Sequence, residues 1–346
     1  MKKFIAFTVL FWCCCYASAQ IFTGVVCEKD TKEPIPYVYV YFDGTSINTL
    51  TDTLGKFKLE TKSVINAKLV LQHLSYQTSI IERPFEGLPD TLYLEEKLFL
   101  LGEVTVQADR FSRKQKMKAF REQFLGVTNA GRSCTIFNED DVYLTYNATT
   151  RRLIAFADVP VIVINNYLGY KVIYTLMDFY AEYKYADMNY NDLQKTFFSV
   201  TSSFIDLNPY SAKIMQRRKE AYKNSTHFFF KCFVNNSLAE NGFEIFNKGF
   251  GFNPEKYFAI IDASSQKKVT ILPGTDINKE QMLFGEGPSA IISVFNRFTG
   301  KSTIHFLTNS FLVDRYGYVD CMDKIVFTGQ LGESRAGDML PREYEP

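Results

Sequence analysis

Apolar and polar positions follow two different rhythms along the chain. From residue 20 to 108 the apolar runs are short and alternate at period two, the mark of half-buried strands. Phe57 and Leu59 alternate with Lys56 and Lys58. Val38, Val40 and Phe42 share one face of a strand, and Tyr37, Tyr39 and Tyr41 share the other. The smaller aliphatic face is assigned to the core. Phe22 to Val26, Lys68 to His73, Thr91 to Leu94 and Val104 to Val106 add further strands. Turn signals separate them. One is Glu28-Lys29-Asp30-Thr31-Lys32. The other is Thr51-Asp52-Thr53-Leu54-Gly55-Lys56-Phe57, where Asp52 can bond the backbone two residues on and Gly55 accepts positive φ. Pro34-Ile35-Pro36 opens a strand at a place where a missing N–H is tolerated. About seven short strands in under 100 residues predict a small antiparallel β-sandwich.

The rhythm then changes. Ser112 and Gln115 form a capping box, Met117, Phe120, Phe124 and Leu125 a helical stripe, and Gly126 a stop, so residues 109–126 read as a linker helix. From 127 to 346 strands and helices mix. Val142 to Tyr146 with Leu153 to Ala157, Phe258 to Ile261 with Lys268 to Leu272, and Ala290 to Phe295 with Ser302 to Leu307 read as hairpins. Val159 to Ile164 and Tyr170 to Tyr183 read as strands. Asn208-Pro209 reads as the start of a helix running to about Lys223, and Ser225 as the cap of the next. The expected fold is mainly β, with an α+β second domain rich in antiparallel sheet.

Several residues of the first half also carry a resemblance. Gly24-Val25-Val26, Glu33-Pro34-Ile35-Pro36, Gly44-Thr45, Thr51-Asp52 with Gly55 and Phe57, Leu74-Ser75-Tyr76 and Leu101-Gly102-Glu103-Val104-Thr105-Val106 resemble the carboxypeptidase-like regulatory domain. The resemblance spans roughly residues 21 to 108. It implies a transthyretin-like seven-stranded sandwich, found in many Gram-negative envelope proteins and often ahead of TonB-dependent receptor plugs. A Gly more often precedes the Tyr where Leu74-Ser75 stand here. In the second half, Phe124-Leu125-Gly126, Cys134 with Ile136 and Asn138, Leu168-Gly169-Tyr170, Arg217-Arg218, Ala221-Tyr222, Ser225 with His227-Phe228, Gly242-Phe243 and Arg335 to Pro341 resemble an uncharacterised region of secreted bacterial proteins. That resemblance implies no catalytic residues.

Composition narrows the function classes. The 346 residues suit two domains, and the formal charge of +1 supplies no field for nucleic acid. Residues 1–19 read as a secretory signal: Lys2 and Lys3, the apolar run Phe4 to Tyr16, then Ala17-Ser18-Ala19 as the cleavage site. Cys13, Cys14 and Cys15 invite a lipoprotein reading, which bulky Phe11 and Trp12 oppose. The expected location is the periplasm or the outer membrane and its outside. Cys27, Cys134, Cys232 and Cys321 remain after cleavage without Cys-x-x-Cys spacing, open to both disulfides and buried thiols.

The search for chemistry excludes more than it assigns. His73, His227 and His305 lie far apart with no zinc-peptidase spacing. Gly300-Lys301-Ser302-Thr303 lacks the Gly that a phosphate loop needs at position 295 and reads as a hairpin turn. Gly249-Phe250-Gly251 and Gly285-Glu286-Gly287-Pro288 read as loops. No nucleophile elbow is present. No catalytic residue, cofactor site or metal site is assigned.

Two clusters suggest binding. The row Tyr37, Tyr39, Tyr41 suits stacking on sugar rings or packing on a protein partner; the same row suits burial against the second domain. Arg217, Arg218, Tyr222 and His227 surround a helix break. Their arginines suit a carboxylate or phosphate, or pairing with Glu220 or another internal acid. The basic face of the linker helix (Arg110, Arg113, Lys114, Lys116, Lys118, Arg121) suits an acidic partner or lipid head groups, or simple solvation. The functional expectation is an exported envelope protein that binds an envelope protein or glycan, with peripheral outer-membrane association. A periplasmic hydrolase with its site in the second domain is the alternative.

Overall fold

The computed structural model describes residues 20–62, 65, 67–97, 110–247, 250–251, 253–272 and 290–346. The leader, the strand expected at Val104 to Val106 and the Gly285 to Pro288 loop lie outside the described residues.

The first half is the expected sandwich. Its strands are β1 (Gln20–Glu28), β2 (Tyr39–Phe42), β3 (Asn48–Leu50), β4 (Lys56–Thr61), β5 (Leu69–His73), β6 (Tyr76–Ile81) and β7 (Thr91–Leu94). They form two sheets, β4-β1-β7 and β3-β2-β5-β6. Every pair is antiparallel except β1 with β7, where Val25 lies beside Thr91 in a parallel register. The strands β3 and β6 escape sequence reading, because neither has a clean apolar alternation. The core between the sheets holds Val38, Val40 and Phe42, as the period-two pattern requires, with Phe22, Phe57 and Leu59 opposite. Asp52 makes its turn as expected: Oδ1 accepts the amides of Leu54 at 2.9 Å and Lys56 at 2.8 Å, and Gly55 sits at φ 70°.

The second half opens with α1 (Arg113–Phe124), capped by the Ser112–Gln115 box. Its apolar stripe is buried, so α1 is a core element of the second half as well as a connection. A short helix α2 (Asn129–Arg132) follows. Next come β8 (Cys134–Ile136), β9 (Val142–Asn147), β10 (Arg152–Ala157), β11 (Val161–Asn165), β12 (Tyr170–Tyr183) and β13 (Leu193–Asp206). They make a six-stranded sheet in the order β8-β11-β12-β10-β9, with β13 paired to β12. Two helices then lead on, α3 (Ala212–Lys223) and α4 (Thr226–Val234). The cap of α3 is Ser211 rather than Asn208, because Asn208 is held in a turn against Asp206. Ser225 caps α4 as expected, accepting the Phe228 amide at 3.2 Å.

The remaining strands are β14 (Phe243–Asn247), β15 (Phe250–Gly251), β16 (Phe258–Ala263), β17 (Gln266–Ile271), β18 (Ala290–Asn296), β19 (Gly300–Phe306), β20 (Ser310–Val313) and β21 (Ile325–Gly329). They build the sheets β15-β14-β18-β19-β21 and β16-β17-β20 around the phenylalanines of α4. Phe250-Gly251, expected as loop, is a two-residue strand paired to β14. Gly300-Lys301-Ser302-Thr303 is hairpin backbone opposite Asn296 to Ser293. The cysteines Cys27, Cys134, Cys232 and Cys321 are free thiols, the first three buried.

Three of the basic residues on α1 are engaged within the fold. Arg113 Nη1 donates to the Val142 carbonyl at 3.0 Å and Lys116 Nζ to the Leu144 carbonyl at 2.9 Å. Both carbonyls belong to the edge strand β9, so the helix covers an edge that would otherwise offer itself to another chain. Arg121 pairs with Glu139 and bonds the Cys134 carbonyl.

Candidate functional site at the junction of the two halves

The long strand β13 carries a polar run, Thr201-Ser202-Ser203, that is buried with Phe204 on both faces. Two parts of the sandwich account for this burial. The tyrosine face of β2 lies on one side. The Tyr39 hydroxyl meets Ser203 Oγ at 2.8 Å and the Tyr41 hydroxyl meets Thr201 Oγ1 at 2.7 Å. Gln72 Nε2 on β5 donates to Thr175 Oγ1 at 2.6 Å. Burial pushes the Tyr41 phenol up to about 12, against the pull of its hydroxyl partners.

The loop after β2 closes the free edge of β13. The Gly44 amide donates to the Ser202 carbonyl at 2.7 Å, the Ser202 amide to Asp43 Oδ1 at 2.8 Å, and the Phe204 amide to the Thr45 carbonyl at 2.9 Å. The sandwich thus continues the second-half sheet by one parallel bridge, Thr45 beside Ser203. Gly44 is the residue this loop needs. Its φ is 75°, and a Cβ there would lie 2.7 Å from Arg342 Nε. The C-terminal segment then crosses both halves. The Arg342 amide donates to the Gly44 carbonyl at 2.7 Å, Glu343 Oε1 accepts the Ser46 amide at 2.7 Å, and Glu345 pairs with Lys231 of α4.

Where these pieces meet, they enclose a cavity of about 410 Å³. Phe204, Val319, Met322, Phe327 and Leu331 form apolar wall; Asp43, His227, Tyr318 and Arg342 bring polar groups to it. The Arg342 guanidinium lies 4.5 Å from the centre of the Tyr318 ring, and His227 stacks on the same ring at 4.7 Å and 11°. Burial, helped by the Arg342 and Lys231 charges, lowers the His227 imidazole to about 3. Burial raises the Asp43 carboxyl against the pull of Arg342.

Ser225 and His227 sit together on this wall, with Oγ and Nε2 3.1 Å apart. They do not form a nucleophile and base. Ser225 Oγ donates its proton to the Tyr222 carbonyl at 2.6 Å, so the imidazole N–H must donate to Oγ. A base held near 3 also has little drive to take a proton at neutral pH.

The residues singled out from sequence separate here. Tyr39 and Tyr41 are not a free surface: their ring tips are spent on the second half of the same chain. Tyr37 is 65% exposed at φ 59° and stands apart from that contact. Arg218 is not an anion site. Both terminal nitrogens grip Asp206 at 2.7 Å, Nε donates to the Leu168 carbonyl at 2.7 Å, and the guanidinium lies 3.8 Å over the Tyr170 ring. Burial alone would raise the Asp206 carboxyl, but the Arg218 fork and the Asn208 amide outweigh it and hold it low. The internal acid is therefore Asp206, whereas Glu220 accepts from Gln216. Arg217 lies over Tyr167 at 4.1 Å and faces a separate polar cleft of about 250 Å³ with Glu220 and Asn224. Tyr222 is buried against His227 and Tyr344. Of the Arg217, Arg218, Tyr222 and His227 cluster, only His227 lines the junction cavity. A wider groove of about 640 Å³ runs along α1, with Lys114, Lys118 and Arg132 beside Glu122, Glu139 and Asp140. Sequence reasoning missed Asp43, Tyr318 and Arg342, which lie far apart along the chain. The one available signal was the Gly44-Thr45 pair next to Asp43.

Among the described residues, no group of three or more His, Cys, Asp or Glu side chains is placed to hold a metal. No helix among them is long and apolar enough to cross a membrane. No curated protein matches the chain. Residues 22–106 match the CarboxypepD_reg-like domain family, a match that covers the sandwich with β2 and the loop that closes the β13 edge. Residues 22–106 of this chain thus form a CarboxypepD_reg-like domain, compatible with a binding role.

Proposed function

We propose that the chain is an exported cell-envelope binding protein that docks an envelope protein through the cavity at the junction of its halves. The cavity itself carries this reading. Its volume of about 410 Å³ is in the range of ligand sites, it lies between two domains, and its apolar wall is relieved by a few convergent polar groups. An apolar side chain of a partner fills such a space better than a glycan, whose hydroxyls need more partners than the wall provides. The sandwich acts here as a fixed wall of the site. Export rests on the leader-like residues 1–19, and peripheral association with the outer membrane follows from the partner.

A photo-crosslinking residue at Met322, in cells expressing the full chain, tests this. A single dominant outer-membrane partner is expected, and Leu331→Trp, which fills the cavity, abolishes the crosslink. No envelope partner, together with saturable hydrolysis of a peptide or glycan library that a cavity substitution removes, would replace this reading with the hydrolase alternative.

A further inference from the structure

The outer face of the six-stranded sheet is only half covered. The tyrosine face of the sandwich sits at the level of Thr175, Thr201 and Ser203, where the sheet is lined with hydroxyls. Beyond that level the same face turns apolar and stays open. Tyr143 is 47% exposed, Ile154 37%, Phe156 45% and Phe197 40%, with Tyr180 half-buried among them. Register brings these five side chains together across four strands. Tyr143 lies opposite Phe156, Ile154 opposite Tyr180, and Tyr180 opposite Phe197. The face therefore buries hydroxyls and exposes rings, the reverse of what solvent favours.

We propose that this aromatic strip is where a second copy of this chain docks face to face, across a two-fold axis lying in the plane of the interface. Charge argues for a copy of the chain itself. Asp178, beside Ser199, flanks the strip on the side nearer the sandwich, and Lys195, beside Glu182, flanks it on the far side. Glu182 is already paired with Arg152 at 2.7 Å, while Asp178 and Lys195 make no ion pair among the described residues. An in-plane two-fold axis perpendicular to the line from Asp178 to Lys195 sets Lys195 of each copy against Asp178 of the other, the self-complementarity an isologous contact requires.

The ring geometry speaks against a glycan. Tyr143 and Phe156 stack at 4.9 Å and 16°, and Tyr180 and Phe197 at 5.6 Å and 27°. The Tyr180 ring is also covered by Arg152 at 4.7 Å and Lys195 at 5.6 Å, whereas sugar stacking needs open ring faces.

Sedimentation velocity of the mature chain, from about 1 µM to about 300 µM, covers the affinities of a small non-obligate interface. A concentration-dependent dimer is expected. Phe156→Ser with Phe197→Ser, both at exposed positions, should keep the circular dichroism spectrum and abolish the dimer. Asp178→Lys or Lys195→Asp alone should weaken association at least tenfold, and the two together should restore it. A wild-type chain that stays monomeric throughout overturns the proposal. So does a dimer indifferent to the ring substitutions, or a charge exchange that restores nothing. Binding of a soluble polysaccharide by the monomer, lost in Phe197→Ser, would make the strip a glycan platform instead.

Discussion

Arg218 and Arg217 are neighbours in sequence with opposite fates. One side chain is 5% exposed and fully occupied, and the other faces a cleft. Helix geometry separates consecutive residues onto different faces, but no sequence signal says which face meets Asp206, twelve residues earlier on another element. Arg218→Ala is expected to lower unfolding stability by about 2 to 4 kcal/mol, less than for a fully buried pair because Asp206 keeps some solvent. Urea unfolding followed by circular dichroism checks this. A loss near zero would mean that the pair is a surface bridge in solution. His227 gives a pH test. Its folded value near 3 lies below the ordinary histidine value of about 6.5, so below that value the unfolded chain binds the extra proton. The stability this residue confers is complete above about 6.5 and is lost as pH falls toward 3, at up to about 1.4 kcal/mol per pH unit. Asp43, raised by burial, works in the opposite sense, losing stability as pH rises through its folded value. His227→Gln is expected to flatten the profile between pH 6 and 4, read from denaturation midpoints. An unchanged slope would show that the imidazole is not held neutral.

At the scale of elements, β2 was legible in nearly every detail. Alternation put Val40 and Phe42 inside and Tyr39 and Tyr41 outside. The face the tyrosines meet was not legible, because β13 was missed. Its Thr201-Ser202-Ser203 run has no apolar periodicity to mark it as a strand. It is a strand through pairing with thirteen of the fourteen residues of β12, Met177 being bulged out of the register. The helix caps at Ser112 and Ser225 were local chemistry and were read correctly, whereas α3 starts later than the Asn-Pro signal, at a competing serine. Tyr39→Phe with Tyr41→Phe removes two hydroxyl bonds without removing the rings. The expected cost is about 1 to 3 kcal/mol, seen as a lower thermal midpoint with an unchanged far-ultraviolet spectrum. A midpoint that does not move would mean that these hydroxyls are solvated. Gly44→Ala should cost about 1 kcal/mol or more, through the left-handed backbone and the Arg342 contact together.

For the whole molecule, two domains were expected, and the sandwich meets the rest of the chain along β2, the loop after it and β13. Their relation was beyond sequence reading, because the bonds from Tyr39, Tyr41, Gln72 and Ser46 across the junction all join residues more than 100 positions apart. That segment, Arg342 to Glu345, touches Gly44, Ser46 and Lys231. Deleting residues 342–346 is expected to lower the melting temperature by several degrees and to broaden the calorimetric transition as the halves uncouple. A sharp transition at the original temperature would show that the segment is not part of the junction.

The central claim is that the CarboxypepD_reg-like domain is a fixed wall of the junction cavity rather than a module free to move. Amide hydrogen exchange of the purified protein, resolved by peptide, tests this most directly. The amides of Gly44, Ser202 and Phe204, which are donors across the junction, are expected to exchange at one slow rate set by a common opening of both halves. Fast exchange at these amides, with the β1–β4 and β12–β13 ladders still protected, would mean that the halves part readily and would contradict the account.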